Sequence, residues 1–446
     1  MSVRSWASGR PAVAALSLAA AVIVASALLA LFPVVQRWNG DVRLFENYAE
    51  LIFSGRLGET PFLSWYPPLS LVPLAVPLLA GGGAAYTFLL GVEMAAVASG
   101  GGILLSGLRA DRRERLRVSV IYGALVLAAT TLVAWRYDIV PAVLTLAALW
   151  ATSRRRWSSA GVTLGLAAGL KLYAAILAPL LLLHAWRSGG SAAAVRAGIA
   201  GVAVGAVSVA SYALFPGSSP LDLLSFTASR PLHLEAVPGS VIGALASIGA
   251  TEANIELGFG SFNIEGSAAD AALAALRIVQ PLVLATSLGV GAYAIWRRST
   301  TVDAESTLVL AWMAALLGLF ISNRVLSAQY VVWILPFVPL ATGRLVPILV
   351  SAILLTVVIF PWLYTSLLAL DPLPVFLVLV RNGLLIAGWT MVILRLVRPT
   401  ADVDRPPNVS RDQGDAKQDG GGVVDPQVRD DRKTGQRRRA DSRPAA

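Results

Sequence analysis

Cysteine is absent from all 446 residues and histidine occurs only twice. The first absence removes disulfides and thiol chemistry, and the second leaves little scope for a histidine-built metal site. Charge is sparse too: Asp, Glu, Lys and Arg make up only 14% of the chain, well below an ordinary soluble domain. Apolar residues fill the space, at 56% of the total with a mean hydropathy of +0.69. This is an integral membrane protein. The net charge of +10 would suggest nucleic acid in a soluble protein. Here the basic residues lie mostly in short loops between apolar runs and in the tail, so topology and anionic membrane lipids account for them and no nucleic-acid partner is expected.

Twelve apolar segments can be drawn, at roughly 12–35, 69–107, 118–134, 139–152, 159–171, 172–186, 197–215, 273–296, 305–321, 328–342, 345–366 and 374–397. The run from Ala12 to Val35 is long enough to span and lacks a small-residue cleavage site before a polar region, so it is expected to stay as an anchor. The second segment is too long for one crossing, and Gly81-Gly82-Gly83 should divide it into a surface piece and a true span. The stretch 159–186 reads either as two helices or as one bent helix. Ser99-Gly100-Gly101-Gly102 reads as close helix packing, since no Lys-Ser/Thr follows to make a phosphate loop. The fold expected is an all-α polytopic bundle of about ten to thirteen transmembrane helices, occupying residues 1–398 with loops at 36–68, 216–272 and 322–329. From Pro399 the chain holds almost no large apolar residues, so 399–446 is expected to be a disordered cytoplasmic tail.

Arginine sets the expected orientation. Arg109, Arg112, Arg113, Arg115 and Arg117 form one basic loop, Arg154 to Arg156 a second, and Arg297 with Arg298 a third. These belong on the cytoplasmic side of a plasma membrane. Threading from a cytoplasmic N-terminus puts every cluster inside and leaves the Asp41 loop, Trp135 to Asp138, Pro216 to Asp270 and Asn323 to Gln329 outside.

The stretch from Asp41 to Leu69 crowds acids, bases and aromatics beside the first span. Asp41 follows the Asn39-Gly40 turn, so its carboxylate is expected at the water boundary. Val42, Phe45, Ala49 and Phe53 share one helical face, as in a helix lying on the membrane surface. Tyr66-Pro67-Pro68 closes the loop and starts a new helix. Equally, the whole stretch reads as a solvated connection with ordinary surface charges.

Three further clusters carry polar groups. Arg136 and Asp138, in Trp135-Arg136-Tyr137-Asp138, are either an ion pair within the turn or a pair that orients other polar groups on the outer face. Lys171-Leu172-Tyr173 puts a lysine in an apolar run, where it must snorkel, face a cavity or meet an anion such as phosphate. Ser322-Asn323-Arg324 through Gln329-Tyr330 offers the mixed donors and acceptors a sugar needs. Glu93 lies within a span and is a functional suspect without a partner to name.

Taken together, Asp41, Tyr66-Pro67-Pro68, Arg136-Tyr137-Asp138, Lys171-Leu172-Tyr173 and Ser322-Asn323-Arg324 through Gln329-Tyr330 resemble the polytopic GT-C glycosyltransferases. More closely, they resemble the family 87 type of actinobacterial polyprenol-phosphate-mannose-dependent mannosyltransferases. The likeness runs from about Asn39 to about Leu340. It implies an inverting transfer of mannose from a polyprenyl-phosphate donor to a cell-envelope glycolipid or glycan at the periplasmic or extracellular face, with no cofactor and no metal. It makes Asp41 the catalytic base. Lys171, Arg324, Arg230 and His233 become the expected contacts of the donor phosphate. Tyr66, Arg136, Asp138, Tyr173, Glu235, Asn323 and Gln329 become the expected sugar and acceptor contacts. Leu232-His233-Leu234-Glu235 departs from the family pattern, which more often has Gln at His233, and Arg324 stands where Lys is common. The competing class is a multi-span transporter or flippase of a lipid-linked sugar. The one-sided polar clusters and the lack of an internal repeat stand against it.

Overall fold

The computed structural model describes residues 10–56, 61–298 and 304–398. The tail expected to be disordered lies outside them. Among the described residues seven helices are long and apolar enough to cross a membrane: Ala84–Gly107, Leu172–Gly189, Ser191–Leu214, Ser267–Arg298, Ala304–Ser322, Leu345–Leu368 and Pro372–Val397. Shorter apolar helices complete an all-α polytopic bundle.

The chain enters through α1 (Arg10–Leu29), then turns into the amphipathic α2 (Gly40–Phe53). Val42, Phe45, Tyr48 and Ala49 are buried against the bundle. Phe53, expected on that face, is 61% exposed because it is the last residue of the helix and Tyr48 takes the inward place. Tyr66 and Pro67 are extended, and a 3-10 turn starts at Pro68. The glycine break is present: Gly81 and Gly83 take φ of 115° and 66°, conformations that cost a β-carbon, and α3 (Ala84–Gly107) follows. α4 (Arg112–Ala128) packs on it so closely that a Cβ at Gly101 would come within 2.4 Å of the Tyr122 hydroxyl. The small-residue run is thus a packing surface.

α5 (Ile139–Ser153), α6 (Trp157–Leu170), α7 (Ala178–Gly189) and α8 (Ser191–Ala210) come next. The stretch 159–186 is two helices and not one bent helix, because Lys171 is extended, at φ −156° and ψ 120°. Beyond α8 the long loop folds back as expected. It holds α9 (Pro220–Ser229), α10 (Val237–Ser247) and an antiparallel hairpin of β1 (Asn254–Gly258) and β2 (Ser261–Glu265). Phe259 and Gly260, both at positive φ, make its two-residue turn. Leu232–Leu234 adds a third edge, with Ile264 N–H donating to the Leu232 carbonyl at 2.8 Å and Leu234 N–H to that of Phe262 at 3.1 Å.

The last part is α11 (Ser267–Arg298), α12 (Ala304–Ser322), α13 (Leu345–Val357) and α14 (Pro372–Val397). Between α12 and α13 the segment expected as a span at 328–342 is not one helix. It is short 3-10 and α pieces, buried almost throughout from Val331 to Leu340. Irregular backbone is tolerated at that depth because protein surrounds it instead of lipid. After α13 the helix widens to π over Val358–Leu363 and leaves helical geometry at Phe360.

The two ends of the bundle differ in chemistry. At one end Arg109 pairs with Glu305 at 3.0 Å, Arg154 donates to the Gly107 carbonyl at 3.0 Å and Arg395 to that of Thr342 at 3.1 Å. These are the basic loops. The opposite end gathers the turn at Arg136, the break at Lys171, the β hairpin and the α12 C-terminus.

Candidate functional site

Arg136 and Asp138 sit in a sunken turn at the start of α5, and each reaches away from the other. Arg136 Nε donates to Asp41 Oδ2 at 2.7 Å, with its guanidinium 4.7 Å above the Phe360 ring. Asp138 Oδ1 accepts from Lys171 Nζ at 2.5 Å and from Trp333 Nε1 at 2.6 Å. The reading of an ion pair closed within the turn is therefore overturned. With one residue between them, the two side chains diverge and find partners far along the chain.

The burial of these pairs is uneven. Asp41 is 40% exposed and Arg136 8%, whereas Lys171 is 15% exposed and Asp138 2%. Asp41 lies in the first turn of α2, where the unbonded backbone N–H groups favour a negative charge. Lys171 is caged by rings, its ammonium 5.0, 5.5 and 5.9 Å from the centroids of Tyr137, Trp333 and Tyr66. Trp333 is stacked between Tyr173 and Tyr330, at 4.0 Å from each. Burial pushes the Tyr66 phenol far above its ordinary value, with the charges of Asp41 and Asp138 adding to the push. The ring remains a neutral wall facing both carboxylates.

The remaining expected residues form a second group beside the hairpin. Arg230 Nη2 donates to Ser261 Oγ at 2.9 Å, and its charge acts on Tyr66 and Tyr330. Arg324 Nη1 donates to the carbonyls of Ala228 and Arg230, at 2.7 and 3.0 Å. Its guanidinium thus fastens the loop, which reduces what it can offer a phosphate. Asn323 Oδ1 accepts from the Val325 N–H at 3.4 Å, and Gln329 is half-buried one turn before Trp333.

Two of the expected residues are set deep in the protein. His233 is 2% exposed, its Nδ1 accepts from the Glu235 N–H at 3.3 Å, and burial beside Arg230 and Arg381 pushes its imidazole down to about 3. It carries no positive charge for a phosphate at neutral pH. Glu235 is 1% exposed and its carboxylate pairs with Arg381 at 3.2 Å. Burial raises its carboxyl above the usual range, against the pull of Arg381.

Sequence reasoning missed Trp333, Arg381 and Asn382. Trp333 was hidden in an apolar segment. Arg381-Asn382 carries the stronger signal, a charge in the middle of a span, which is a functional suspect by default. Glu93, singled out for the same reason, has Oε2 buried without a hydrogen-bond partner.

A conserved-family model, glycosyltransferase family 87, matches residues 62–323, more than half of the chain. The chain belongs to glycosyltransferase family 87. No curated protein and no solved structure matches it. The family 87 match takes in Tyr66, Arg136, Asp138, Lys171, Tyr173, Arg230, His233, Glu235 and Asn323. Asp41 lies before it, and Arg324 and Gln329 lie after it. A family 87 protein is a glycosyltransferase and needs a sugar donor, an acceptor and the surrounding lipid. Family membership favours transfer over transport.

Proposed function

We propose that this chain transfers a mannosyl unit from a polyprenyl phosphate to a cell-envelope glycolipid or glycan, at the outer face of the plasma membrane, with inversion. The observation that carries the proposal is a water-facing carboxylate, Asp41, gathered into one cluster with a ring-caged cation, Lys171, at the end of an apolar bundle. Transfer from a lipid-linked phosphate needs three things: a base for the acceptor hydroxyl, a cation for the departing phosphate, and an apolar wall for the lipid.

Asp41 is the base in this reading. It takes the acceptor proton as the acceptor oxygen attacks the anomeric carbon and the bond to the phosphate breaks. A single displacement of this kind inverts the centre. Arg136 orients Asp41, while Lys171, with Arg230 and Arg324 at the hairpin side, meets the charge growing on the phosphate. Tyr66, Tyr137 and Trp333 form the wall that keeps water from the cation. The donor carries no nucleotide diphosphate, so no metal is required to clamp one.

Membranes with and without the chain, given radiolabelled polyprenyl-phosphate-mannose, test the reading. Chain-dependent label in glycolipid or glycan is expected, and its absence would sink the donor assignment. Sidedness has its own test. A cysteine at Ser64 should react with an impermeant thiol reagent from outside and one at Ser158 should not, with no native cysteine to confuse the result. Labelling of the opposite sidedness would move the site to the cytoplasmic face.

A further inference from the structure

The turn of the β hairpin carries a residue that does not suit its shape. A two-residue hairpin loop with both residues at positive φ favours Asn-Gly or Gly-Gly, and here it is Phe259-Gly260. Phe259 stands at φ 55°, where a bulky side chain costs stability. It is also 42% exposed, so burial does little to offset that cost.

The strained residue ends a row of rings. Phe259 lies 5.3 Å from Phe226 of α9, and Phe226 lies 5.7 Å from Trp65, centroid to centroid. Trp65 and Phe226 are half-buried. From Trp65 the ring contacts continue inward through Tyr48 and Phe62 to Tyr66, at 6.5, 4.5 and 5.2 Å, and Tyr66 walls the Lys171 cage. An aromatic strip thus runs from the cage to the tip of the hairpin, open to the surroundings at its outer three rings.

A lipid tail and a sugar both lie well on aromatic rings, and the flanks of this strip favour the sugar. At 100° per residue, α9 turns its exposed Leu221 and Leu224 to the face opposite Phe226. The apolar face suited to lipid is therefore a different one. Beside Phe226 stand Ser229, three residues on, and Arg230, just past the helix end. Ser229 Oγ donates to the Phe226 carbonyl at 3.1 Å and keeps its lone pairs to accept from a hydroxyl. The Arg230 guanidinium lies 5.7 Å over the Phe226 ring. A pyranose can set its C–H face on the rings and bond its hydroxyls to this polar flank. An isoprenoid would bring nothing to bond there.

We propose that Trp65, Phe226 and Phe259 form a saccharide subsite, which receives the sugars of the acceptor that lie outward of the reacting one. Phe259 is held in its strained turn to complete it. The inference rests on the glycosyl transfer proposed above.

The test uses the purified full-length protein in detergent and three soluble saccharides: α-linked mannotetraose, maltotetraose and cellotetraose. Binding is followed by saturation-transfer NMR. At least one of them should bind the parental protein, and Phe259→Asn and Trp65→Leu should each weaken that binding about threefold to tenfold. Phe259→Asn should also melt at or above the parental temperature, because Asn-Gly suits the turn. Affinity lost with stability kept is a result that a packing role would not give. Binding that is equal in all three proteins, or binding of no saccharide, overturns the proposal. So does a Phe259→Asn protein that melts lower and binds as before. If Trp65→Leu does not fold, Phe259→Asn alone decides. Farnesyl phosphate held through these rings, with saccharide binding unmoved in the variants, would give the strip to a lipid tail and overturn the proposal too. Because binding needs no transfer, the two readings fail separately. Ring-dependent saccharide binding without mannosyl transfer removes the donor assignment, and intact transfer with ring-independent binding removes the subsite.

Discussion

The Asp41–Arg136 and Asp138–Lys171 pairs use the same charges with opposite exposure. In the first the acid is 40% exposed and the cation is sunk; in the second the cation, at 15%, is the less buried member and the acid is sunk. On the function proposed above, the more buried member fixes the geometry and the less buried member acts. A half-exposed carboxylate steadied from behind can accept a proton, and an ammonium caged by rings and steadied from behind can meet an anion that enters the cage. The Glu235–Arg381 pair, sealed at both members, marks the contrast.

Asp41→Asn is expected to have the largest effect. It keeps the size and a hydrogen bond to Arg136 but cannot take a proton, so transfer should fall roughly 10²-fold or more while expression and donor binding persist. Glu50→Gln is the control and should be mild. Glu46→Gln is a less clean control, because Glu46 Oε1 accepts from the Gly83 N–H at the start of α3 and so ties α2 to a span. Full transfer in purified, folded Asp41→Asn would break the division of labour between the two pairs.

Lys171→Met should come next, weakening donor use by on the order of 2 to 4 kcal/mol in the barrier. It also strands Asp138 with Trp333 as its remaining partner, so a loss of thermal stability should accompany it. Asp138→Asn with Lys171→Met should recover the stability and not the transfer. Recovery of both would make the pair a structural clasp.

The smallest effect sharpens the same line. Burial holds the His233 imidazole near 3, below its ordinary 6.5, so the folded state prefers it neutral. Its contribution to stability is complete above about pH 6.5 and is lost as pH falls toward 3. His233→Gln should leave transfer at neutral pH nearly unchanged and flatten the acid side of a melting-temperature profile. A large loss of transfer at neutral pH would return His233 to the site.

Much of this was legible in the chain and some was not, for identifiable reasons. The spans, the glycine break and the polar clusters are written in composition and local spacing. So is the polar turn that follows the first apolar run, where Asp41 stands 40% exposed. Partner choice was not: Arg136 and Asp138 lie two apart, and nothing local says that each reaches across the bundle. The hairpin at 254–265 was missed because its alternation is weak, with β1 mostly exposed on both faces. Arg381-Asn382 is readable as a charge in a span, but nothing local names its partner Glu235, 146 residues away.

The broken passage from Val331 to Leu340 bears on how the protein is made. A segment whose backbone groups are not all paired within itself cannot wait alone in lipid. Its pieces pack against α4, α5 and α12, which precede it in the chain, and against α13, which follows. As synthesis proceeds from the N-terminus, three walls of its slot exist before it emerges. Membrane insertion and folding are therefore a single event for these residues: the segment is laid into a groove already standing, and α13 closes it.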